Sequence, residues 1–274
     1  MKRFVGILSI YIIASILVSE LLTYTNVSRV IGHEFRAAEK LSKSKSKKKV
    51  KKLIIGDSTG YALYPCTRSY DSIVSLACGT SISMGGHYFL LKNYLDSNPD
   101  NPPEEVVLLL TPMSFSNDLD KYAYQYFLKP FPIWEYKPLY TDHLYQRVKS
   151  IPYYWTAYLP FIHSSGYTPE KSVPKKEPEV YLSRTCYEYL LQIDSITKAN
   201  GIPLRMISSP VRDDYMQRVE NISKALCEES SVGISHLAGP YIETINYYPA
   251  NLFHDEVHLE RSYVPADYLG ILGR

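Results

Sequence analysis

"LIIGDSTGYALYP", residues 53–65, sets the reading of the chain, because an apolar run stops at Gly56-Asp57-Ser58 and a polar turn follows it. Leu53, Ile54 and Ile55 suit a strand buried on both faces, and Gly, Asp and Ser suit the turn that ends it. Strands end this way for backbone reasons alone, so these residues carry no function by themselves. Their weight depends on what the rest of the chain places around them.

Outward from this stretch, short apolar segments bounded by Gly, Pro or Ser recur: IVSLACG at 73–79, EVVLLLTPM at 105–113, IPLRMISSPV at 202–211 and VGISHL at 232–237. Each reads as a strand. Helical stretches separate them: SMGGHYFLLKNYLDSN at 83–98, YLSRTCYEYLLQIDSITKAN at 181–200, closed by Asn200-Gly201, and DDYMQRVENISKALCEES at 213–230. The alternation predicts an α/β fold, a three-layer α/β/α sandwich around a mostly parallel sheet of about five strands. In such sheets ligands bind beyond the carboxyl ends of the strands, which is where Ser58 falls.

A chain of 274 residues holds one sizeable core. With 45% hydrophobic and 21% charged residues and a formal charge of +2, it is neither disordered in composition nor a dedicated nucleic-acid binder. At the N-terminus, Lys2 and Arg3 precede FVGILSIYIIASILVSELLTY, Phe4 to Tyr24, whose one charged residue is Glu20. That length and apolarity predict a transmembrane signal anchor over 1–25, and no A-x-A pattern marks a cleavage site before Asn26. Residues 26–50 then read as a basic linker and 51–274 as the domain. The run KLSKSKSKKKVKK, 40–52, is either a solvated spacer or a patch for anionic lipid or an acidic polymer.

Cys66, Cys78, Cys186 and Cys227 form no C-x-x-C pair, which removes the common zinc and thioredoxin-like spacings. One disulfide stays open, as does a buried free thiol at Cys78. No G-x-x-x-x-G-K-[ST], H-E-x-x-H or G-x-G-x-x-G is present, so neither a cofactor nor a metal is implied.

A serine needs a base to take its proton, and the base needs a group to orient it. Of the seven histidines, His258 has the most suitable local arrangement: in "NLFHDEVHLE", 251–260, Asp255 precedes it by three positions, so both side chains reach one side of a turn.

A strand ending in Gly56-Asp57-Ser58 near the start of the domain, with Asp255-x-x-His258 near its end, resembles the SGNH (GDSL-type) hydrolase superfamily over about residues 50–265. "SLACGTSIS", 75–83, resembles the second family block, whose glycine donates an amide to the oxyanion. The resemblance implies Ser58 as nucleophile, His258 as general base and then acid, Asp255 as the group that holds its tautomer, and the amides of Ser58 and Gly79 as oxyanion donors. It departs at the third block, G-x-N-D in the family, where Thr111 and Met113 stand in "LLLTPMSFSND"; Asn117 is a substitute donor only if a loop carries it there. Gly56-Asp57-Ser58-Thr59-Gly60 also fits the G-x-S-x-G elbow of α/β-hydrolases, but that elbow follows several strands and Ser58 follows the first.

Residues 117–180 hold neither helical nor strand period for long and read as an insertion rich in aromatics and proline. Trp134, Trp155, Tyr140, Tyr153 and Tyr154 either stack on sugar rings or pack the insertion onto the sheet or a membrane interface.

The resemblance implies a serine-dependent acyl-ester hydrolase or O-acyltransferase acting on a cell-envelope or exported polysaccharide, with an acylated glycan or other ester as substrate. It also places the domain on the periplasmic or outer side of the membrane, against the pull of Arg29, Arg36, Lys40 and Lys43 behind the span. Two alternatives stand beside it: a non-catalytic protein of the same fold that binds a glycan or a polysaccharide-assembly partner, and a lipid-active esterase.

Overall fold

The computed structural model of the chain describes residues 2–24, 34–64, 72–79, 82–119, 127–128, 130–152, 154–155, 182–229, 233–260 and 268, without the side chains of 19–24 and 34–38. The apolar runs form a fully parallel sheet from β1 (Lys52–Gly56), β2 (Ile73–Ser75), β3 (Glu105–Leu110) and β4 (Leu204–Ser208), in the order β2-β1-β3-β4. Strand order reverses at β1, and right-handed crossovers then require connections on opposite faces. They are found there. Helix α3 (Ser58–Leu63) links β1 to β2 on one face, and α4 (Ser83–Ser97) and α7 (Arg184–Ala199) serve the connections to β3 and β4 on the other.

Side-chain alternation along the strands divides the core accordingly. Leu53, Ile55, Val106, Leu108, Leu110 and Met206 point to one face and are buried with Leu90 and Leu91 of α4, Leu190 and Ile193 of α7, and residues of α8 (Met216–Glu229) and α9 (Ser235–Glu243). Ile54, Ile73, Val107, Leu109 and Ile207 point to the other, where Tyr64, just past α3, and Tyr268 cover them. The architecture is α/β with a four-stranded parallel sheet, compatible with three layers.

Two expected strands differ. VGISHL is not a strand but leads into α9, because Ile234, Leu237, Ala238 and Tyr241 recur at helical spacing and all are buried. IPLRMISSPV splits, since Pro210 has no N–H for a ladder. After it the chain resumes as β5 (Val211–Arg212), which pairs in parallel with β6 (Tyr247–Tyr248) in a separate ribbon.

The stretch expected as a linker carries α2 (Glu34–Ser44), which packs on α4. Lys40 and Ser44 are buried, the Lys40 ammonium lying 3.6 Å from Glu39 and 4.7 Å from the centre of the Tyr61 ring. Beyond it the lysine side chains face solvent while the backbone is pinned: Lys48 N–H donates to Asn98 Oδ1 at 2.9 Å, and Asn98 Nδ2 donates to the Ser46 carbonyl at 3.0 Å. Ahead of this, α1 (Lys2–Tyr24) is helical, with Phe4, Val5, Ile7, Ile10 and Tyr11 exposed. Among the described residues no helix is long and apolar enough to cross a membrane. The side chains of α1 are described only as far as Val18, short of the Tyr24 at which the expected span ends.

The insertion is more regular than its sequence suggests, with α5 (Ile133–Tyr136) and α6 (Asp142–Ser150), the latter capped by Thr141. Tyr140 stacks on Phe89 at 5.5 Å, and Phe127, Phe131 and Tyr136 close around the same ring. Tyr140 is therefore part of the packing and not a sugar platform, whereas Trp134 and Trp155 are exposed. Tyr154 accepts from the Lys149 ammonium, and Tyr153 lies outside the described residues. Asp118 fastens the insertion: it accepts from Thr185 of α7 and His143 of α6, and pairs with Arg147 at 3.1 Å. Cys186 is a buried free thiol whose burial pushes its ionisation up, Cys78 is buried, and Cys66 lies outside the described residues.

His87 on α4 lies on the buried stripe with Leu90, Leu91 and Tyr94, and its Nδ1 has no hydrogen-bond partner. Burial lowers its pKa to about 3. Between pH 6.5 and 3 the unfolded chain therefore binds a proton that the folded chain refuses, so stability falls as pH drops through that window, by roughly 4 kcal/mol at its foot. His87→Leu should keep or raise stability at pH 7 and flatten the acid limb, measured by urea unfolding from pH 7 to 4. Parallel acid limbs in the two proteins would show that His87 plays no such part.

Candidate active site

The carboxyl end of β1 is built by close approach and by one buried charge. A Cβ on Gly56 would lie 2.0 Å from the Leu109 carbonyl oxygen, so no side chain fits there and β1 comes hard against β3. The next residue, Asp57, is fully buried. Its Oδ1 accepts from the amide of Thr59 at 2.9 Å, the hydroxyl of Thr59 and the amide of Gly60; its Oδ2 accepts from the amide of Thr111 at 2.7 Å and the hydroxyl of Ser114. The first three bonds cap α3 and the last two reach the turn after β3. One carboxylate thus ties β1, α3 and β3 together at the point where strand order reverses, the usual place for a ligand crevice.

Ser58 opens α3 from this anchor. It is half-buried, and its hydroxyl makes no hydrogen bond to any described residue. Beside it, the parallel ladder between β1 and β2 continues past the strand ends through Leu76 N–H to the Ile54 carbonyl at 2.7 Å and Cys78 N–H to the Gly56 carbonyl at 2.8 Å. The ladder thus runs as far as Gly56 and Cys78, and Ser58 and Gly79 each follow within two residues of its end.

His258 and Asp255 sit in a turn held by an antiparallel bridge between Phe253 and Leu259, with His254 N–H donating to the His258 carbonyl at 3.0 Å. Arg212 of β5 donates to the Asp255 carbonyl at 3.2 Å, which fixes the turn to the ribbon that continues from β4 beyond the carboxyl edge of the main sheet. Asp255 accepts from the amides of Val257 at 2.8 Å and His258 at 2.7 Å, and its Oδ2 lies 2.8 Å from His258 Nδ1. Partial burial works against the carboxylate, but those amides and the imidazole outweigh it and hold its pKa below the ordinary value. With Nδ1 turned to Asp255, Nε2 is the nitrogen left for chemistry.

The structure thus joins Asp255 to His258 and puts Ser58 and Gly79 just past the ends of one ladder, but Ser58 and His258 are not hydrogen-bonded to each other. At the positions matching the family's third block no free donor stands, since Thr111 N–H is taken by Asp57 and Met113 has no donor side chain, while Asn117 Oδ1 accepts from Leu119 N–H at 3.0 Å in its own turn. Three other imidazole–carboxylate pairs occur among the described residues: His254 with Asp255 itself, and His143 with Asp118 and His236 with Asp194, in both of which the carboxylate also pairs with a cation, Arg147 or Lys198.

Sequence reasoning missed the ring of donors around Asp57, because Ser114 and Thr111 lie far along the chain in a turn without periodicity. It also passed over His254, whose ring stacks on that of His258 at 5.6 Å. The spacing in "HDEVH" was the available signal. No protein-family model matches the chain, and no curated protein matches it in sequence.

These contacts separate two adjacent residues. Asp57→Ala leaves several buried donors unsatisfied and should cost roughly 3–5 kcal/mol. Ser58→Ala removes a hydroxyl without partners and should change stability by no more than about 0.5 kcal/mol. Urea unfolding of both variants checks this, and comparable losses would mean that Ser58 is structural.

Proposed function

We propose that the chain is a serine-dependent acyl-ester hydrolase or O-acyltransferase of SGNH type, with Ser58, His258 and Asp255 as its triad. The observation that carries the reading is the Asp255–His258 contact at 2.8 Å, which commits Nδ1 and leaves Nε2 to act as base. In this scheme Ser58 Oγ attacks an ester carbonyl and Nε2 takes its proton. The amides of Ser58 and Gly79 hold the oxyanion, and the protonated imidazole hands its proton to the departing alcohol. Water then gives net hydrolysis; an acceptor hydroxyl gives transfer. The Ser58–His258 bond has to close when substrate binds, as such bonds often do. With Met113 where the family block has its asparagine, the rate should sit roughly 100- to 1,000-fold below that of a fully equipped site.

The substrate class, an acylated envelope or exported glycan, follows from the family resemblance together with the exposed Trp134 and Trp155. A membrane anchor formed by the sequence from Phe4 to Tyr24, with the domain on the periplasmic or outer face, belongs to the same reading. A second reading is favoured by Met113 at the third block and by the absence of a Ser58–His258 hydrogen bond: a non-catalytic protein that holds a glycan in the same crevice.

Turnover of a small acetyl ester and labelling by a fluorophosphonate separate the two. The full chain is the proper sample, since a cut at residue 45 would strip α2 from α4. Labelling at Ser58, with kcat/KM lowered at least about a thousandfold in Ser58→Ala and His258→Ala, is expected. Absence of labelling in folded protein, with glycan binding kept in Ser58→Ala, would establish the binding reading instead.

A further inference from the structure

We propose that His254, Asp255 and His258 form a binding site for a divalent transition ion, with Zn²⁺ as the fitting occupant. Each residue offers one ligand atom, and these atoms all lie within 4.8 Å of one another. The Nδ1 of His254 faces the Leu259 carbonyl at 3.2 Å. A carbonyl only accepts, so Nδ1 carries a proton. Nε2 faces Asp255 Oδ2 at 3.4 Å, while His258 Nδ1 approaches the same oxygen at 2.8 Å. Two ring nitrogens gathered on one carboxylate oxygen call for a positive charge between them, which a second ring proton or a metal ion supplies.

The supporting contacts are those that orient metal ligands. A backbone carbonyl fixes the tautomer of one histidine, and the amides of Val257 and His258 hold Asp255 Oδ1, which turns Oδ2 toward the two rings. The bridge from Phe253 to Leu259 keeps the rings face to face. Two imidazoles and one carboxylate suit zinc, with a further position open to water or substrate, and do not suit Mg²⁺ or Ca²⁺, which take oxygen ligands. Zinc bonds of roughly 2.0–2.2 Å set ligand atoms a little over 3 Å apart, so small side-chain rotations close the site.

One consequence rests on the proposed acyl-transfer reading. Zinc on His258 Nδ1 displaces the proton through which Asp255 orients the base, so bound zinc would switch ester turnover off.

The test is calorimetric titration of chelator-treated full-length protein with Zn²⁺ and, separately, Mg²⁺. One zinc per chain and no magnesium binding are expected. His254→Ala and His254→Gln should each weaken zinc binding by roughly 100-fold or more while keeping the wild-type circular dichroism spectrum. His236→Ala, a histidine of α9 outside the cluster, should bind as the wild type does. No zinc binding, or binding unaffected by both His254 variants, would overturn the site. Zinc bound through His254 in a protein without ester turnover would uphold the site and defeat the catalytic reading. Turnover that zinc leaves untouched while bound through His254 would uphold the site and remove its role as a switch.

Discussion

The carboxylate of Asp57 is the constraint on which the arrangement rests. A buried charge is costly unless nearly every lone pair has a donor, and here the amides of Thr59, Gly60 and Thr111 and the hydroxyls of Thr59 and Ser114 supply them. Each donor comes from a segment that must arrive at one place, so satisfying the charge fixes where α3 begins relative to the end of β3. Ser58 is the next residue along the chain. Its position therefore follows from electrostatics at Asp57 more than from any contact of its own, and a side chain without partners is free to meet a substrate.

Much of the fold was legible because the pattern and the burial coincide. The runs at 53–56, 73–75, 106–110 and 206–208 are buried on both faces, and a parallel sheet demands this of its strands. The failures share a cause, which is that burial and hydrophobicity part company. Helix α2 buries Lys40 and Ser44 beside Leu41, so the lysine-rich composition that reads as a spacer hides a packed face. Helix α9 contains Gly239 and Pro240, which break the apparent pattern although Leu237, Ala238 and Tyr241 keep its phase. The insertion is ordered by aromatic rings meeting at Phe89, contacts made across long sequence separations that no local period encodes.

At the site, what could be read was what is local. Asp255 and His258 are three positions apart, and a turn brings them together. Gly79 as a partner of Ser58 could be anticipated only through a resemblance, and the ladder of β1 on β2, which runs to Gly56 and Cys78, ends just short of both. The relation of Ser58 to His258 joins opposite ends of the chain through β4, the β5–β6 ribbon and the turn at 253–259. Small differences in that path decide a distance that spacing says nothing about.

Asp255 and His258 also answer two demands with one nitrogen. A general base needs a proton on Nδ1, held by the carboxylate, so that Nε2 carries the lone pair. A metal needs that same Nδ1 stripped of its proton. What tips the balance is His254: without it, Asp255 and His258 are an ordinary orienting pair, and with it the carboxylate oxygen lies between two imidazoles, one of which turns its Nε2 toward that oxygen while its Nδ1 is held by the Leu259 carbonyl. An orienting pair has no need of the second ring, since the amides of Val257 and His258 already hold the carboxylate in place. The extra imidazole is thus surplus to a triad and sufficient for a cation, so proton and metal compete for one position in the turn.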